Sequence, residues 1–246
     1  MYQFFVEPGQ IQGRQIVITG SDVNHIRNVL RMKPGEEIAV SNGIDGKEYR
    51  CGIESYTEDT VLCTLRFIKE EGVELPSRIY LFQGLPKADK MELIVQKAVE
   101  LGAYEVIPVA ARRCVVKLDE KKAAGKIGRW QGIAESAAKQ SKRGMIPKVH
   151  SVMSMQEAVD YARAMEVRLI PYELAEDMQH TRKVIEAVAA GKDIAVFIGP
   201  EGGFEESEIQ MAMEAGIEPI TLGKRILRTE TAGFTVLSWL MYHLES

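Results

Sequence analysis

Two glycine-rich segments in the last third of the chain carry the residues whose types and spacing are best suited to chemistry. The first, residues 198–204, has the sequence Ile-Gly-Pro-Glu-Gly-Gly-Phe and passes from an apolar stretch into a turn and then a predicted helix. Gly202 and Gly203 let the backbone approach a ligand closely, and the first N–H groups of the helix are free to bind it. The segment matches neither a phosphate loop nor a Gly-x-Gly-x-x-Gly dinucleotide site. It predicts either a site that does not cradle phosphate or a purely structural turn.

The second segment, residues 222–233, lies between a predicted strand and the last predicted helix and contains Arg228 and Glu230. Ligands of open α/β sheets bind at the carboxyl ends of the strands. If the strands that precede the two segments are neighbours, the two loops face each other across a crevice. Ile226 and Leu227 could then cover a flat ring such as adenine while backbone groups bind its edge.

The net charge of −4 conceals an uneven distribution along the chain. Residues 112–148 carry a net charge of +8, which leaves −12 elsewhere. The basic residues of this stretch are Arg112, Arg113, Lys117, Lys121, Lys122, Lys126, Arg129, Lys139, Lys142, Arg143 and Lys148. Such a stretch is either a solvated helix face or a surface that binds phosphates.

The remaining composition argues against several classes of protein. The cysteines never occur as Cys-x-x-Cys, and no two histidines have the helical spacing that would let them share a metal, so we expect no metal site. No stretch approaches the roughly 20 apolar residues of a membrane span, and the N-terminus does not resemble a signal peptide. We therefore expect a cytoplasmic protein with no membrane partner.

The elements that would position these segments fall into two groups. The first seventy or so residues predict a small β-barrel, with strands at 15–19, 37–42, 48–56 and 60–68 and a short helix near 22–30. The turn-forming pairs Asn42-Gly43 and Asp45-Gly46 support this interpretation. The charged stretch 69–77, with a glycine and a proline, has no period that could bury a face and is the predicted linker.

After the linker, strands alternate with helices, which predicts an α/β fold with a parallel sheet covered on both faces. The predicted strands are 78–83, 105–109, 167–171, 194–199 and 217–222. The predicted helices lie near 89–101, 120–141, 155–165, 181–190 and 206–215, with a last one that runs to the C-terminus. We therefore predict two domains, 1–72 and 73–246.

The two glycine-rich segments together closely resemble the signature of the RsmE-type 16S rRNA uridine N3-methyltransferases of the SPOUT superfamily. Three further stretches agree with that signature, so the resemblance covers essentially the whole chain. They are His25-x-x-x-Val29-Leu30-Arg31; Lys97-Ala98-x-Glu100-Leu101-Gly102 with Pro108; and Arg129-Trp130 through Glu135, Gln140, Ser141, Arg143 and Pro147.

The resemblance implies a PUA-like β-barrel that binds RNA, over residues 1–72, and a SPOUT domain over 73–246. The last segments of the SPOUT domain would form a trefoil knot that holds S-adenosylmethionine. It also implies a homodimer that acts on 16S rRNA or on the assembled small ribosomal subunit. Periodicity alone predicts an unknotted doubly wound sheet, since true knots are essentially absent from proteins. The knot therefore rests on the family likeness.

The same resemblance assigns the site residues. Those expected to hold the cofactor are Ile198, Gly199, Pro200, Glu201, Gly202, Gly203, Leu222, Gly223, Ile226, Leu227, Arg228, Thr231 and Ala232. The residues expected to contact RNA are Arg14, Arg27, Arg31, Lys121, Lys122, Lys126, Arg129, Lys142 and Arg143.

Methylation of uracil N3 requires the loss of a proton, and the resulting charge spreads onto the flanking oxygens. Arg228 is the first candidate to stabilise that charge. Glu201 and Glu230 are candidate proton acceptors, and the alternative for each is to bind Arg228 or to cap a helix. For Thr229 and Thr231, the alternative to a role in the site is that one of them is the N-cap of the last helix.

Two other functions remain open from the residues. One is a non-catalytic RNA-binding protein of ribosome assembly with the same architecture. The other is a nucleotide-dependent metabolic enzyme, which is disfavoured because the chain has neither a phosphate loop nor an acidic residue at the spacing of a ribose site.

Overall fold

The computed structural model describes residues 1–70, 72–175 and 177–245, with only the backbone of residue 120. The chain divides into two compact units. Unit 1 contains Met1–Glu74 and Ala138–Ile146, and unit 2 contains Leu75–Ala137 and Pro147–Ser246. Within the described ranges, no helix is long and apolar enough to cross a bilayer.

Unit 1 is built on a curled six-stranded sheet. Its strands are β1 (Gln3–Phe5), β2 (Ile11–Gln12), β3 (Gln15–Thr19), β4 (Glu37–Ser41), β5 (Glu48–Tyr56) and β6 (Thr60–Lys69). The order across the sheet is β1-β4-β5-β6-β3-β2, and every neighbouring pair is antiparallel except β1 with β4.

Alternation of side chains explains how the sheet of unit 1 encloses its core. In β3, Ile16 and Ile18 are fully buried while Gln15 and Thr19 are exposed. The four strands predicted for this region are confirmed, as is a short helical stretch, formed by α1 (Ser21–Asn24) and a π-helical turn. Strands β1 and β2 were missed because two or three residues show no readable period.

A buried ion pair joins the distant segment Ala138–Ile146 to the rest of unit 1. Arg143 is 3% exposed, and its Nε donates to Glu74 Oε2 over 3.0 Å. The backbone carbonyl of Arg143 accepts from Gln3 Nε2 at 2.7 Å. Removing one partner of such a buried pair typically costs about 3–5 kcal/mol. The predicted division at residues 72 and 73 left this segment with the second domain, because a contact across roughly 70 residues has no local sequence signal.

Unit 2 is built on a seven-stranded sheet in which every pair is parallel. Its strands are β7 (Arg78–Gly84), β8 (Ala103–Ala110), β9 (Lys148–Val149), β10 (Met153–Ser154), β11 (Val167–Pro171), β12 (Asp193–Ile198) and β13 (Glu218–Ile220). The order is β10-β8-β7-β12-β11-β13, with β9 also paired to β8. The central strands are buried, and the rings of Phe82 and Phe197 stack with their centroids 4.3 Å apart. This confirms the predicted α/β class.

Six helices accompany the sheet among the residues that the structure describes. They are α2 (Lys90–Glu100), α3 (Glu120–Gln140), α4 (Met155–Ala162), α5 (Met178–Glu186), α6 (Glu206–Glu214) and α7 (Thr229–Leu244). Helix α2 ends before Gly102, whose φ of +87° is the left-handed conformation expected of a glycine at this position. Helix α5 begins three residues earlier than predicted, because the Asp177 side chain accepts from two backbone N–H groups of its first turn.

Candidate active site

The first glycine-rich loop follows β12, and its glycines are required by close approach of the backbone. Gly203 has φ +67° and its N–H donates to Pro200 O at 2.9 Å, which closes a tight turn. A Cβ on Gly199 would lie 3.0 Å from the Cα of Gly203. On the neighbouring strand β7, a Cβ on Gly84 would lie only 2.6 Å from Pro200 Cδ. The loop is therefore held in one shape by contacts that no larger residue permits.

The loop that follows β8 lies against this first loop, which the sequence did not indicate. Arg113 Nη1 donates to the carbonyl of Gly202 over 3.1 Å. The backbone N–H of Arg112 donates to the buried carboxylate of Glu208 at 2.9 Å, and the same carboxylate accepts from the N–H of Glu205 at the start of α6. Arg112 and Arg113 thus connect the segment after β8 to the first loop and to the start of α6.

The second glycine-rich loop meets the first although the strands that precede them are not neighbours. Strand β11 lies between β12 and β13 in the sheet. The contact is made by Thr229, the first residue of α7. Its hydroxyl donates to Gly199 O at 2.6 Å and accepts from Gln83 Nε2 at 2.8 Å. The two loops therefore meet, for a different reason from the one the sequence suggested.

The structure contradicts the alternative in which Thr229 or Thr231 is the N-cap of the last helix. The N-cap of α7 is Arg228, which makes no side-chain capping bond. Thr229 uses its hydroxyl between the two loops instead. The alternative was wrong because tertiary contacts outcompete a local cap when a buried carbonyl oxygen is within reach.

Lys90, at the start of α2, lies between the two candidate carboxylates. Its Nζ is 2.9 Å from Glu201 Oε1 and 3.5 Å from Glu230 Oε2. Glu201 also accepts from the backbone N–H of Lys87 at 3.1 Å. Burial acts to raise the pKa of Glu201, but hydrogen bonds from Lys90 and from the backbone outweigh it and lower the pKa. Sequence reasoning missed Lys90, because an isolated lysine at a helix start has no distinguishing pattern.

Glu230 differs from Glu201 in how its carboxylate is satisfied. Its Oε2 is buried and, among the described residues, has no well-formed hydrogen-bond donor. The side chain of Glu230 is only 17% exposed. Its contact among the described residues is the ion pair with Lys90, at 3.5 Å.

The rest of the second loop is largely open to solvent. Gly223 has φ +99°, which fits its place in the turn after β13. The side chain of Ile226 is 95% exposed, whereas Leu222 and Leu227 are half-buried. Of the two residues expected to cover a flat ring, Leu227 is therefore the more buried, and Arg228 beside it is exposed.

The RNA-binding candidates of α3 lie in its N-terminal half and are partly paired with acids of the same unit. Lys122 is 3.1 Å from Asp119, and Arg129 is 2.9 Å from Glu92. Lys126 approaches Asp89 less closely, at 4.0 Å. Pairs that are so exposed contribute little to stability and can be exchanged for other anions.

The basic candidates of unit 1 divide into exposed and structural residues. Arg14, Arg31 and Lys142 are exposed, and Arg27 lies over the ring of Tyr56 at 5.1 Å while donating to backbone carbonyls. Arg143 is buried and engaged by Glu74, so its predicted contact with RNA does not fit the structure. A charged side chain in a basic stretch is not necessarily on the surface.

Metal-ligating clusters of three or more residues are not found within the described ranges. All three cysteines are buried and unpaired with one another. Burial raises the pKa of Cys51 and Cys63 to about 12. These thiols are therefore protonated and unreactive at neutral pH.

Comparisons with known proteins agree with this geometry. Residues 73–241 match the family described as RNA methyltransferase domain, and residues 18–66 match the RNA methyltransferase PUA domain. The ribosomal RNA small subunit methyltransferase E of Bacillus subtilis is 38% identical, over all of this chain and 98% of that protein.

Two solved structures were also found to be similar. The structure of a ribosomal RNA small subunit methyltransferase E from Neisseria gonorrhoeae bound to S-adenosyl methionine has 32% identity and a TM-score of 0.85, covering 98% of this chain and 97% of that one. A Legionella pneumophila methyltransferase in complex with the cofactor SAM has 32% identity and a TM-score of 0.83, with the same coverage.

The close packing of Gly84 on Pro200 gives a first prediction. We expect Gly84→Ala to lower the free energy of unfolding by about 1–3 kcal/mol, because its Cβ would overlap backbone as well as side chain. The matched control is Gly128→Ala in α3, where the Cβ meets nothing within 4 Å. That substitution should stabilise the protein by roughly 0.5–1 kcal/mol. Denaturant unfolding of both variants tests this, and equal effects would contradict it.

Proposed function

Because the chain belongs to the RNA methyltransferase family that includes the ribosomal RNA small subunit methyltransferase E proteins, we propose that it transfers a methyl group from S-adenosylmethionine to a uridine of 16S rRNA, at N3. The observation that carries the proposal is the meeting of the two glycine-rich loops at Thr229, beside Lys90 and the carboxylates of Glu201 and Glu230.

The residues at this site fit S-adenosylmethionine. A flat adenine suits the half-buried Leu222 and Leu227 together with free backbone groups of both loops. The cationic part of the ligand suits the net negative charge of the cluster formed by Lys90, Glu201 and Glu230. We propose as cofactor-binding residues Ile198, Gly199, Pro200, Glu201, Gly202, Gly203, Leu222, Gly223, Ile226, Leu227, Arg228, Thr231 and Ala232.

Arg228 is proposed to stabilise the negative charge that develops on the uracil oxygens when the N3 proton leaves. The residue is exposed and lies at the end of the second loop, where its guanidinium can reach an acceptor base. What the cofactor supplies when bound is an activated methyl group on a sulfonium. The contribution of Arg228 is to make the deprotonated acceptor accessible at neutral pH.

Of the two candidate proton acceptors, the geometry favours Glu230. The carboxylate of Glu201 already accepts from Lys90 and from the backbone of Lys87, and its lowered pKa makes it a weaker base. Glu230 lies farther from Lys90, at 3.5 Å, accepts no well-formed hydrogen bond at Oε2 among the described residues, and is in the first turn of α7, two residues from Arg228. We therefore assign Glu230 the proton-accepting role and Glu201 the role of holding Lys90.

RNA is proposed to bind through the PUA-like unit and through the basic face of α3. The candidates, all exposed except the half-buried Arg27 and Lys126, are Arg14, Arg27, Arg31, Lys121, Lys122, Lys126, Arg129 and Lys142. The target uridine must leave its base stack, because N3 lies on the pairing edge. The basic residues would hold the flanking phosphates while the base enters the site.

Three finer features follow from the family likeness and belong to the same proposal. The chain would form a C-terminal trefoil knot, with the segment after β13 returning past β11 to reach β12. It would act as a homodimer. Its place of action would be the cytoplasm, where a bacterial-type small ribosomal subunit is assembled.

The proposed reaction is tested by incubating the protein with labelled donor and either free 16S rRNA or small subunits, followed by mass spectrometry of digested RNA. We expect one labelled uridine, methylated at N3. Arg228→Ala should lower turnover by about a hundredfold or more while donor binding stays within roughly tenfold of the wild type. RNA binding by the wild type without donor binding or RNA methylation would instead favour a non-catalytic RNA-binding protein.

The two carboxylates are distinguished by paired amide substitutions. Glu230→Gln should lower kcat by about a hundredfold or more, because loss of a general base typically removes 10²–10⁴ of rate. Glu201→Gln should lower it by no more than about tenfold, since Lys90 keeps Glu230 as a partner. Single-turnover rates across a pH range separate the two variants. If Glu201→Gln proves the more damaging one, the assignment is reversed.

The basic face of α3 is tested by the salt dependence of RNA binding. Substituting Lys122, Lys126 and Arg129 together by glutamine should weaken binding and reduce the slope of log Kd against log salt by roughly 2–3, about one unit for each lost phosphate contact. The same triple change at Arg163, Arg182 and Lys183 is the charge-matched control. An unchanged slope in the α3 variant would remove this face from the interface.

A further inference from the structure

A buried chain of hydrogen bonds connects three elements beneath the candidate active site. Gln83, at the end of β7, is fully buried, and Thr229 is 5% exposed. Gln83 Nε2 donates to Gly84 O at 2.9 Å and to Thr229 Oγ1 at 2.8 Å. Thr229 Oγ1 then donates to Gly199 O at 2.6 Å. The hydroxyl thus accepts one bond and donates one, so it links β7 to the first loop through the start of α7.

The donor and acceptor of each hydrogen bond between Gln83, Thr229 and Gly199 are fixed by the groups involved. Gly84 O is a carbonyl oxygen and can only accept. The Thr229 hydroxyl donates its proton to Gly199 O, so it can only accept from Gln83. The amide oxygen of Gln83, Oε1, is buried and has no hydrogen-bond partner within the described residues. Leaving a buried acceptor unpaired is unfavourable. The contribution of Gln83 therefore lies in its NH₂ group.

The second loop needs such a link, because it starts on a strand that is distant from β12 in the sheet. Its beginning is held by Thr181, whose hydroxyl donates to Thr221 O at 3.1 Å and accepts from Thr221 N at 3.0 Å. Its end is held by Thr229. Between these two anchors, residues 224–226 are exposed. Two threonine hydroxyls thus fix the ends of a loop whose middle is open to solvent.

We propose that Gln83 and Thr229 are positioning residues that set the spacing of the two glycine-rich loops before the methyl donor binds. This inference rests on the proposed function, since it assigns the loops to donor binding. Neither side chain needs to touch the donor, because both are buried. Their effect would be preorganisation, in which a loop already held in its binding shape loses less freedom on binding.

The test uses Thr229→Val, which keeps the shape of the side chain and removes both hydrogen bonds. We expect the Kd for S-adenosylmethionine, measured by calorimetry, to rise by about tenfold, as does its KM, with a smaller change in kcat. Thr229→Ser restores the hydroxyl and should return the Kd to within about twofold of the wild type. Thr235→Val is the control, since that hydroxyl donates only within α7, to Thr231 O at 2.8 Å.

A second variant and a second readout keep the inference independent of folding and of the proposed function. Gln83→Met preserves volume and removes the NH₂ group, so it should weaken donor binding in the same way as Thr229→Val. Hydrogen exchange of the amides of residues 221–228, without donor, should become faster in both variants and not in Thr235→Val.

Faster exchange that accompanies weaker binding supports the inference. A folded Thr229→Val protein with unchanged loop exchange overturns it, and so does unchanged donor affinity when the wild type binds. If the wild type binds no donor at all, the proposed function fails, and faster exchange still supports the anchoring of the loop.

Discussion

The hydroxyl of Thr229 is the contact on which the candidate active site depends. It joins Gly199 O, at the end of a central strand, to Gln83 on the neighbouring strand, and it places the start of α7 between them. Without this contact the second loop would have no described hydrogen bond to the first. A single buried hydroxyl can have this effect because its donor and its acceptor are both used in a water-poor position, where unpaired polar groups are unfavourable.

Glycine is required at two positions of the site because backbone segments approach each other closely there. Gly84 and Gly199 leave room for Pro200 and Gly203 at distances that a Cβ would violate. In the proposed function, main-chain N–H and C=O groups of these tightly packed loops would line the donor site. A ligand edge with donors and acceptors can then be recognised by the main chain, which is how a loop with few polar side chains binds selectively.

Charge gives the site its second constraint. Lys90 lies between two carboxylates, and the three side chains together leave an excess of one negative charge. Such a balance suits a cationic methyl donor and also keeps Glu201 ionised. Arg228, exposed at the mouth, has the opposite sign and suits an acceptor that becomes anionic. In the proposed reaction, the donor and the acceptor would therefore each meet residues of complementary charge.

The amino-acid sequence by itself determined the fold class and the positions of the two glycine-rich loops. Alternation of period two and the helical stripes of α2 and α3 are local, so strands such as 15–19 and the cap at Gly102 could be predicted from neighbouring residues. The family likeness supplied the reaction and the cofactor, and the matched families agree with an RNA methyltransferase. The loop residues that it named stay a proposal.

Only the tertiary structure decided which residues work together. Gln83 and Thr229 are 146 positions apart, and Arg143 finds Glu74 across 69. A lone glutamine, lysine or threonine has no periodicity to mark it, so Gln83 and Lys90 went unnoticed and Thr229 was taken for a cap. The physical reason is that local patterns report which face of an element is buried, whereas partners in a buried polar network are chosen by how the elements pack.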